Sequence, residues 1–542
     1  MIKVFVVLIS VLIIFILILG GCTSSTTTPA KPAPSPAPSL TQPSSPAMQT
    51  PATPTAQSGG TLHIGTIEGF QNIGDPRVSR VPFDGCIRHL FYEEPVRFDK
   101  DGNIIPWLAS SWQYSNDYKS LTLTLQKGVK YHDGTSFNAQ SVKDCLDAYK
   151  AAKMPQLSTV TSIDVVDEYN VRLNTDKFDA TLLGLLAQTP AGQMVSPTAM
   201  NKYSADEMMR TPVGTGPFKL ASYDPGNKIV ATKNPDYWIK GRPYLDGMDC
   251  TYIKDPTVAK MAFERGEVDV IPRLDPPQGT ELMNSGKYKN LFVSPSGFEF
   301  MLAGDNMNAD SPWSKLKVRQ AAMYAVDVDA MIKKIGQGVA VVCRRLFQAN
   351  SPFYNPAPVP YSYDPSKART LLTEAGYSSG FDTTIYLRTP TYQDYATVVQ
   401  SYFNDVGIRA NVKIMTTAEA ADLTTKGWKN GLLEILGPNT AEREASVTIL
   451  NYYAPGNTYN ASVGVAQDVV ALCTQALSEP DIKKRIALSL QADSMIVDRD
   501  ALLMNYATIP FIVPKQSWVH DDNFRFFVGH YWTPEKAWIE KH

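Results

Sequence analysis

Apolar residues crowd the amino terminus of this chain: Val4 to Leu19 form one run that only Ser10 interrupts, with no polar face. The pattern further on is periodic. Leu121, Leu123 and Leu125 alternate with threonines and predict a half-buried strand, which Val129 to His132 continue beyond Gly128 until Asp133-Gly134 turns the chain. Asn138 then caps a predicted helix whose Val142, Leu146 and Tyr149 share a face. Asp255-Pro256 opens another helix, with Val258, Met261 and Ala262 as its inner stripe and Gly266 as its stop, before a strand over Val268 to Ile271. The same grammar returns at Asp364-Pro365, with Ala368, Leu371, Leu372 and Ala375 inside and Gly376 as the end. A strand from Phe381 to Leu387, a helix from about Tyr392 to Asp405 and a strand from Ile408 to Ile414 predict a β-α-β crossover, the unit of parallel sheets covered by helices. Ligands of such open sheets sit beyond the carboxyl ends of the strands. Arg388 and the Gly437-Pro438-Asn439 loop are therefore candidate site residues, although a solvated loop charge is the plainer reading of Arg388.

The amino-terminal run ends at Leu19-Gly20-Gly21-Cys22, preceded by Lys3. A helix over residues 4 to 19 would span about 24 Å, short of a hydrocarbon core of about 30 Å. The arrangement resembles a bacterial lipobox, which implies cleavage after residue 21 and a diacylglycerol on the Cys22 thiol; two acyl chains anchor a protein stably where one is marginal. Residues 22–57 are rich in Pro, Ser and Thr and cannot bury a core, so they predict an extended tether. The residues that follow are numerous enough for two large lobes, and no second apolar run there is long enough to span a membrane.

Charge and chemistry narrow the functions. The formal net charge is −2, and loss of the leader removes one lysine and no acid, so nothing favours nucleic acid as a partner. Cys86, Cys145, Cys250, Cys343 and Cys473 are odd in number and widely spaced, without a CxxC metal motif; one disulfide is possible in an oxidising compartment. His63, His89, His132, His520, His530 and His542 show no zinc-binding spacing, and His132 belongs to a Tyr-His-Asp-Gly turn. No GxSxG elbow or Walker A loop is present, and pairs such as Glu93-Glu94 or Asp521-Asp522 read as surface charge. The expectation is a protein with no catalytic residues, no metal and no cofactor. A secreted hydrolase is the reading these absences disfavour.

Several stretches carry a family resemblance. They include Leu108 to Trp112, Leu125-Gln126-Lys127-Gly128-Val129-Lys130-Tyr131-His132-Asp133-Gly134-Thr135-Ser136-Phe137-Asn138-Ala139 through Val142, and Val213-Gly214-Thr215-Gly216-Pro217-Phe218. Asn234 to Trp238, Phe263 to Asp269, Val318 to Ala322 and Tyr363 to Tyr377 continue it. Together they resemble the solute-binding proteins of the peptide and nickel ABC-transporter family (family 5). The resemblance implies an α/β fold, a two-lobed periplasmic-binding-protein clamshell with an extra subdomain on the first lobe and two hinge-crossing strands. The implied divisions are 1–21 signal peptide, 22–57 tether, 58–294 first lobe with the extra subdomain at about 91–190, 295–507 second lobe and 508–542 return. The implied partners are a small-molecule or peptide ligand and a membrane permease with its cytoplasmic ATPase, the protein itself being a monomer on the outer side of the cell membrane.

The family's cleft segments fall here on Glu68 to Gln71, on Tyr92-Glu93-Glu94, on Gly214 to Phe218 and on Phe298 to Phe300, with Glu68, Phe70, Tyr92, Glu94, Phe218, Phe298 and Phe300 as the candidate residues and plain core packing as the other reading for each aromatic. One departure matters. Peptide-binding members carry a Gly-Trp tract and then an aspartate that pairs with the ligand's α-ammonium, whereas here Leu432 to Leu436 run into Gly437-Pro438-Asn439-Thr440-Ala441-Glu442-Arg443-Glu444. Glu442 or Glu444 could supply the carboxylate, with Asn439 beside them. Short peptides bound differently, oligosaccharides, opines or chelated nickel all remain open, as does a sensory receptor using the same closure.

Overall fold

The computed structural model describes residues 55–78, 82–99, 103–188, 190–288, 290–435, 444–457, 459–520 and 532–540. Cys22, the tether to residue 54, Asn439 and Glu442 lie outside the described residues.

The leucine and threonine alternation forms the strand Ser120–Leu125, whose three leucines are buried. It pairs antiparallel with Ala109–Tyr114 on one side and Asn170–Thr175 on the other, and Val160–Asp167 completes four strands. Packed over them is the helix Ala139–Ala151, started by a reciprocal pair of bonds between Asn138 and Ser141, with Val142, Leu146 and Tyr149 buried. The expected strand Val129 to His132 is only a single bridge between Lys130 and Ser136. Gly128 and Gly134, both at positive φ, turn the chain twice within seven residues and leave no room for a ladder. A second four-stranded sheet sets Thr61–Thr66 parallel to Gly247–Tyr252, followed by Lys228–Lys233 and Phe218–Asp224. Both sheets share one apolar core, which also takes in Val513, Val519 and Ala537 from the end of the chain.

Two further expectations need correction. In the helix Pro256–Glu264 the cap is Asp255, but Val258 and Met261 are 49% and 45% exposed, and the buried face is Ala259, Ala262 and Phe263. Phe263 is the bulky residue and turns the helix toward itself. Val268 to Ile271 touches Ile64 and Lys515 through bridges at Val270 alone, and Pro272 follows without an N–H to extend the pairing.

The β-α-β unit forms at the expected residues: Phe381–Leu387 and Ile408–Ile414 are parallel neighbours joined by the helix Gln393–Val406. They belong to a six-stranded sheet in the order Val341–Val342, Leu503–Pro514, Leu291–Gly304, Gly431–Glu434, Phe381–Leu387, Ile408–Ile414. One face packs on Trp313, Ile385, Leu387, Phe403 and Leu432, and the other on Met301, Leu433, Ile435, Tyr453 and Ile496.

The strands Leu291–Gly304 and Leu503–Pro514 run antiparallel from Leu291 opposite Pro514 to Ala303 opposite Leu503. At one end Val513 joins the first core and Ile512 bridges Leu274; at the other, Leu302 and Met504 belong to the core of the six-stranded sheet. This two-stranded ribbon is where the chain crosses between the two packed regions. They meet again farther out, where the Arg485 guanidinium lies 5.9 Å from the Phe178 ring, which itself packs edge-on against Tyr114 and Tyr118.

Candidate crevice at the carboxyl ends of the six-stranded sheet

Strand order determines which side chains stand together at the carboxyl ends of the sheet. The Ile435 N–H donates to the Met301 carbonyl at 3.0 Å, so Gly431–Glu434 ends level with the crossing ribbon, and Arg388 follows the end of its neighbour Phe381–Leu387. The Arg388 backbone N–H donates to Glu434 Oε2 at 2.9 Å and its Nη2 donates to Asn460 Oδ1 at 3.0 Å. Its Nε is buried with no hydrogen-bond partner among the described residues. Burial pushes the guanidinium pKa down, opposed by the charge of Glu434. Burial likewise pushes the Glu434 carboxyl up to about 7, against the N–H and charge of Arg388, so near neutral pH this group is divided between acid and carboxylate. Arg388 is therefore not a solvated loop charge. It is a mostly buried fork of donors whose Nε has no hydrogen-bond partner among the described residues, suited to a planar anion such as a carboxylate.

On the ribbon side, Phe298 is half-buried and meets Phe511 edge to face at 4.7 Å. The Arg273 guanidinium lies over both rings, 4.6 and 4.5 Å from their centres. It reaches Asp275 at 3.3 Å and makes a short contact with Glu68. Glu68 and Phe298, far apart in sequence, are thus brought together, and the residue that joins them was missed: nothing in Pro272-Arg273-Leu274-Asp275 marks the arginine.

Other candidates lie inside the packed cores. Phe70, Tyr92 and Phe218 are fully buried in the first core. The Tyr92 hydroxyl donates to the Gly74 carbonyl at 2.6 Å and accepts from the Val213 N–H at 3.2 Å. Glu94 is buried 3.1 Å from His89 Nδ1 and 3.7 Å from Arg97. Its neighbour Glu93 accepts from Trp107, Tyr237, Trp238 and Thr215 at 2.7 to 3.0 Å, so the pair forms a structural knot and not surface charge. Phe300 is fully buried and stacks on Tyr392 and Tyr506, 5.6 Å from each. None of these five side chains presents surface to a crevice in this arrangement. Glu444, the alternative carboxylate, accepts from Arg485 Nε at 3.0 Å; burial pushes it up to about 7, opposed by that arginine.

Among the described residues no group of three or more His, Cys, Asp or Glu is placed to hold a metal ion, and the five cysteines there are buried. No helix of the described residues is long and apolar enough to cross a membrane.

Residues 103–457 match the model of the bacterial extracellular solute-binding proteins, family 5 (middle). The glutathione-binding protein GsiB of Pectobacterium atrosepticum is 28% identical over 480 residues, covering 85% of this chain and 91% of that protein. The Escherichia coli K12 protein of the same name is 28% identical over 468 residues, covering 84% and 89%. Among solved structures, the Helicobacter pylori periplasmic binding protein DppA in complex with the peptide STSA superposes with a TM-score of 0.69 at 25% identity, covering 90% of this chain and 99% of that one. NikA of Brucella suis in complex with Fe(III)-EDTA superposes at 0.76 and 25%, covering 88% and 100%. A family match across well over half of the chain, joined to a two-lobed α/β fold, places this protein in family 5 of the bacterial extracellular solute-binding proteins.

Proposed function

We propose that this chain is the receptor of an ABC importer, held on the outer side of the cell membrane by lipid at Cys22, and that it delivers a short peptide to the permease. The observation that carries the peptide reading is Arg388, mostly buried at a strand end with Nε unpaired among the described residues. Such a fork binds a carboxylate in two parallel bonds. Relatives named for glutathione and a related structure holding a tetrapeptide support the same ligand class. In this reading residues 58–294 and 508–542 form one lobe, 295–507 the other, and the ribbon Leu291–Gly304 with Leu503–Pro514 is the hinge. A ligand touching both lobes stabilises the closed form by its differential affinity, and the permease reads that form. Arg273, which links Glu68 to the hinge rings Phe298 and Phe511, couples the first lobe to that motion.

Calorimetry with glutathione and trialanine tests this. The protein binds at least one of them, and Arg388→Ala weakens binding by about 30-fold or more, the loss expected when one partner of a buried charge pair is removed. Equal affinity in wild type and variant would contradict the reading.

A further inference from the structure

The hinge ribbon and the segment that holds Gln348 against it carry a set of buried acceptors that the fold itself does not fully satisfy. Glu299, Gln348 and Asn505 are 6%, 4% and 5% exposed. Gln348 Nε2 donates to Glu299 Oε1 at 3.0 Å and to the Gly297 carbonyl at 3.2 Å, while Gln348 Oε1 is buried with no hydrogen-bond partner among the described residues. Asn505 Nδ2 donates to the Arg345 carbonyl at 2.9 Å and to the Cys343 sulfur at 3.3 Å, and its Oδ1 is likewise buried and unpartnered. No cation among the described residues pairs with Glu299. Beyond the Gln348 amide on Glu299 Oε1, the buried carboxyl and the two orphaned amide oxygens suit N–H donors and a positive charge that no described residue brings to them.

Position links this set to the crevice. Glu299 lies two residues beyond Met301, the last ribbon residue bonded to the neighbouring strand, so it stands at the carboxyl-end edge of the sheet. Along the ribbon Glu299 shares a face with Met301, and Met301 packs in the same core as Tyr386, two residues before Arg388. Glu299 and Arg388 therefore belong to one face at one end of the sheet. A single strand, Gly431–Glu434, separates the two strands that carry them. Two strand spacings come to about 10 Å, the reach of about three extended residues.

We infer that Glu299, Gln348 and Asn505 form the subsite for the ligand's ammonium group, opposite a carboxylate held by Arg388, and that the receptor is selective for zwitterionic peptides of about three residues. The inference rests on the peptide reading above and names the groups that replace the aspartate missing from residues 437–444. Glu444 is unsuited to the task because Arg485 already neutralises it. An ammonium has three N–H donors for the three acceptors, and its charge compensates the carboxylate. The titratable groups shifted by the Glu299 charge are Cys343 and Tyr392, both kept protonated chiefly by burial, so neither competes as a cation. In the empty receptor a proton serves instead: burial pushes the Glu299 carboxyl up to about 8. Loading near neutral pH then releases that proton to solvent as the ammonium arrives.

The test is calorimetry on wild type and Glu299→Gln with trialanine, glutathione and their N-acetylated forms, in two buffers of different ionisation enthalpy. Acetylation is expected to weaken wild type by about 30-fold or more and Glu299→Gln by no more than about threefold, with about one proton released per free-amine peptide bound by wild type only. If acetylation costs both proteins equally, or wild type nothing, the ammonium subsite is overturned while peptide binding through Arg388 stands. If none of the four compounds binds wild type, this inference and the peptide reading fall together. The acetylated ligands act on wild type directly, so a poorly folded variant leaves the test intact.

Discussion

At the scale of single residues, His132 shows how context settles chemistry. Its Nε2 lies 2.9 Å from the Gly216 carbonyl, and burial pushes its pKa down to about 4, with the Gly216 contact opposing. Below about pH 6.5 the unfolded chain takes up a proton that the folded chain refuses, so stability is intact above that value and falls as the pH drops toward 4. The melting temperature of wild type should therefore fall more steeply between pH 7 and 4.5 than that of His132→Gln, and parallel curves would remove the histidine from the acid response. The same dependence on context explains which site residues could be read from sequence. The place of Arg388 at a strand end was legible because it follows a strand with a clear period. Phe70, Tyr92, Phe218 and Phe300 were not separable from core residues, since an aromatic ring serves a wall and an interior equally well. Arg273 left no local signal, because its contacts with Glu68 and Phe511 come from residues far away in the chain.

Among the elements, the hinge ribbon is tightly constrained at Gly297. A Cβ at Gly297 would lie 1.9 Å from the Ile509 carbonyl oxygen and 2.5 Å from Pro510 Cα, both backbone atoms of the partner strand. Gly297→Ala must push the strands apart and is expected to cost about 1–3 kcal/mol or more in urea unfolding; stability within 0.5 kcal/mol of wild type, taken as roughly the spread of neutral substitutions, would contradict the close approach. Elements with a strong period were read correctly, as Phe381–Leu387 and Ile408–Ile414 demonstrate. Weaker patterns failed for physical reasons. In Pro256–Glu264 the burial of Phe263 outweighed the apolar positions Val258 and Met261, which remain exposed. Around residues 129 to 136, two positive-φ glycines overruled an alternation that otherwise reads as strand.

For the whole molecule, the family and the two-lobed architecture were legible because long motifs tie the chain to a fold, while the ligand was not. The loop that would name it, residues 437 to 443, departs from the family pattern and lies outside the described residues. The proposed recognition groups are instead the donors of Arg388 and the acceptors of Glu299, Gln348 and Asn505. The most direct test is native mass spectrometry of the protein purified without refolding, followed by denaturation and identification of whatever it releases. The account predicts a peptide of about three residues with a free amine and a free carboxylate. A neutral sugar, a metal chelate or a solute lacking either charged end would contradict it.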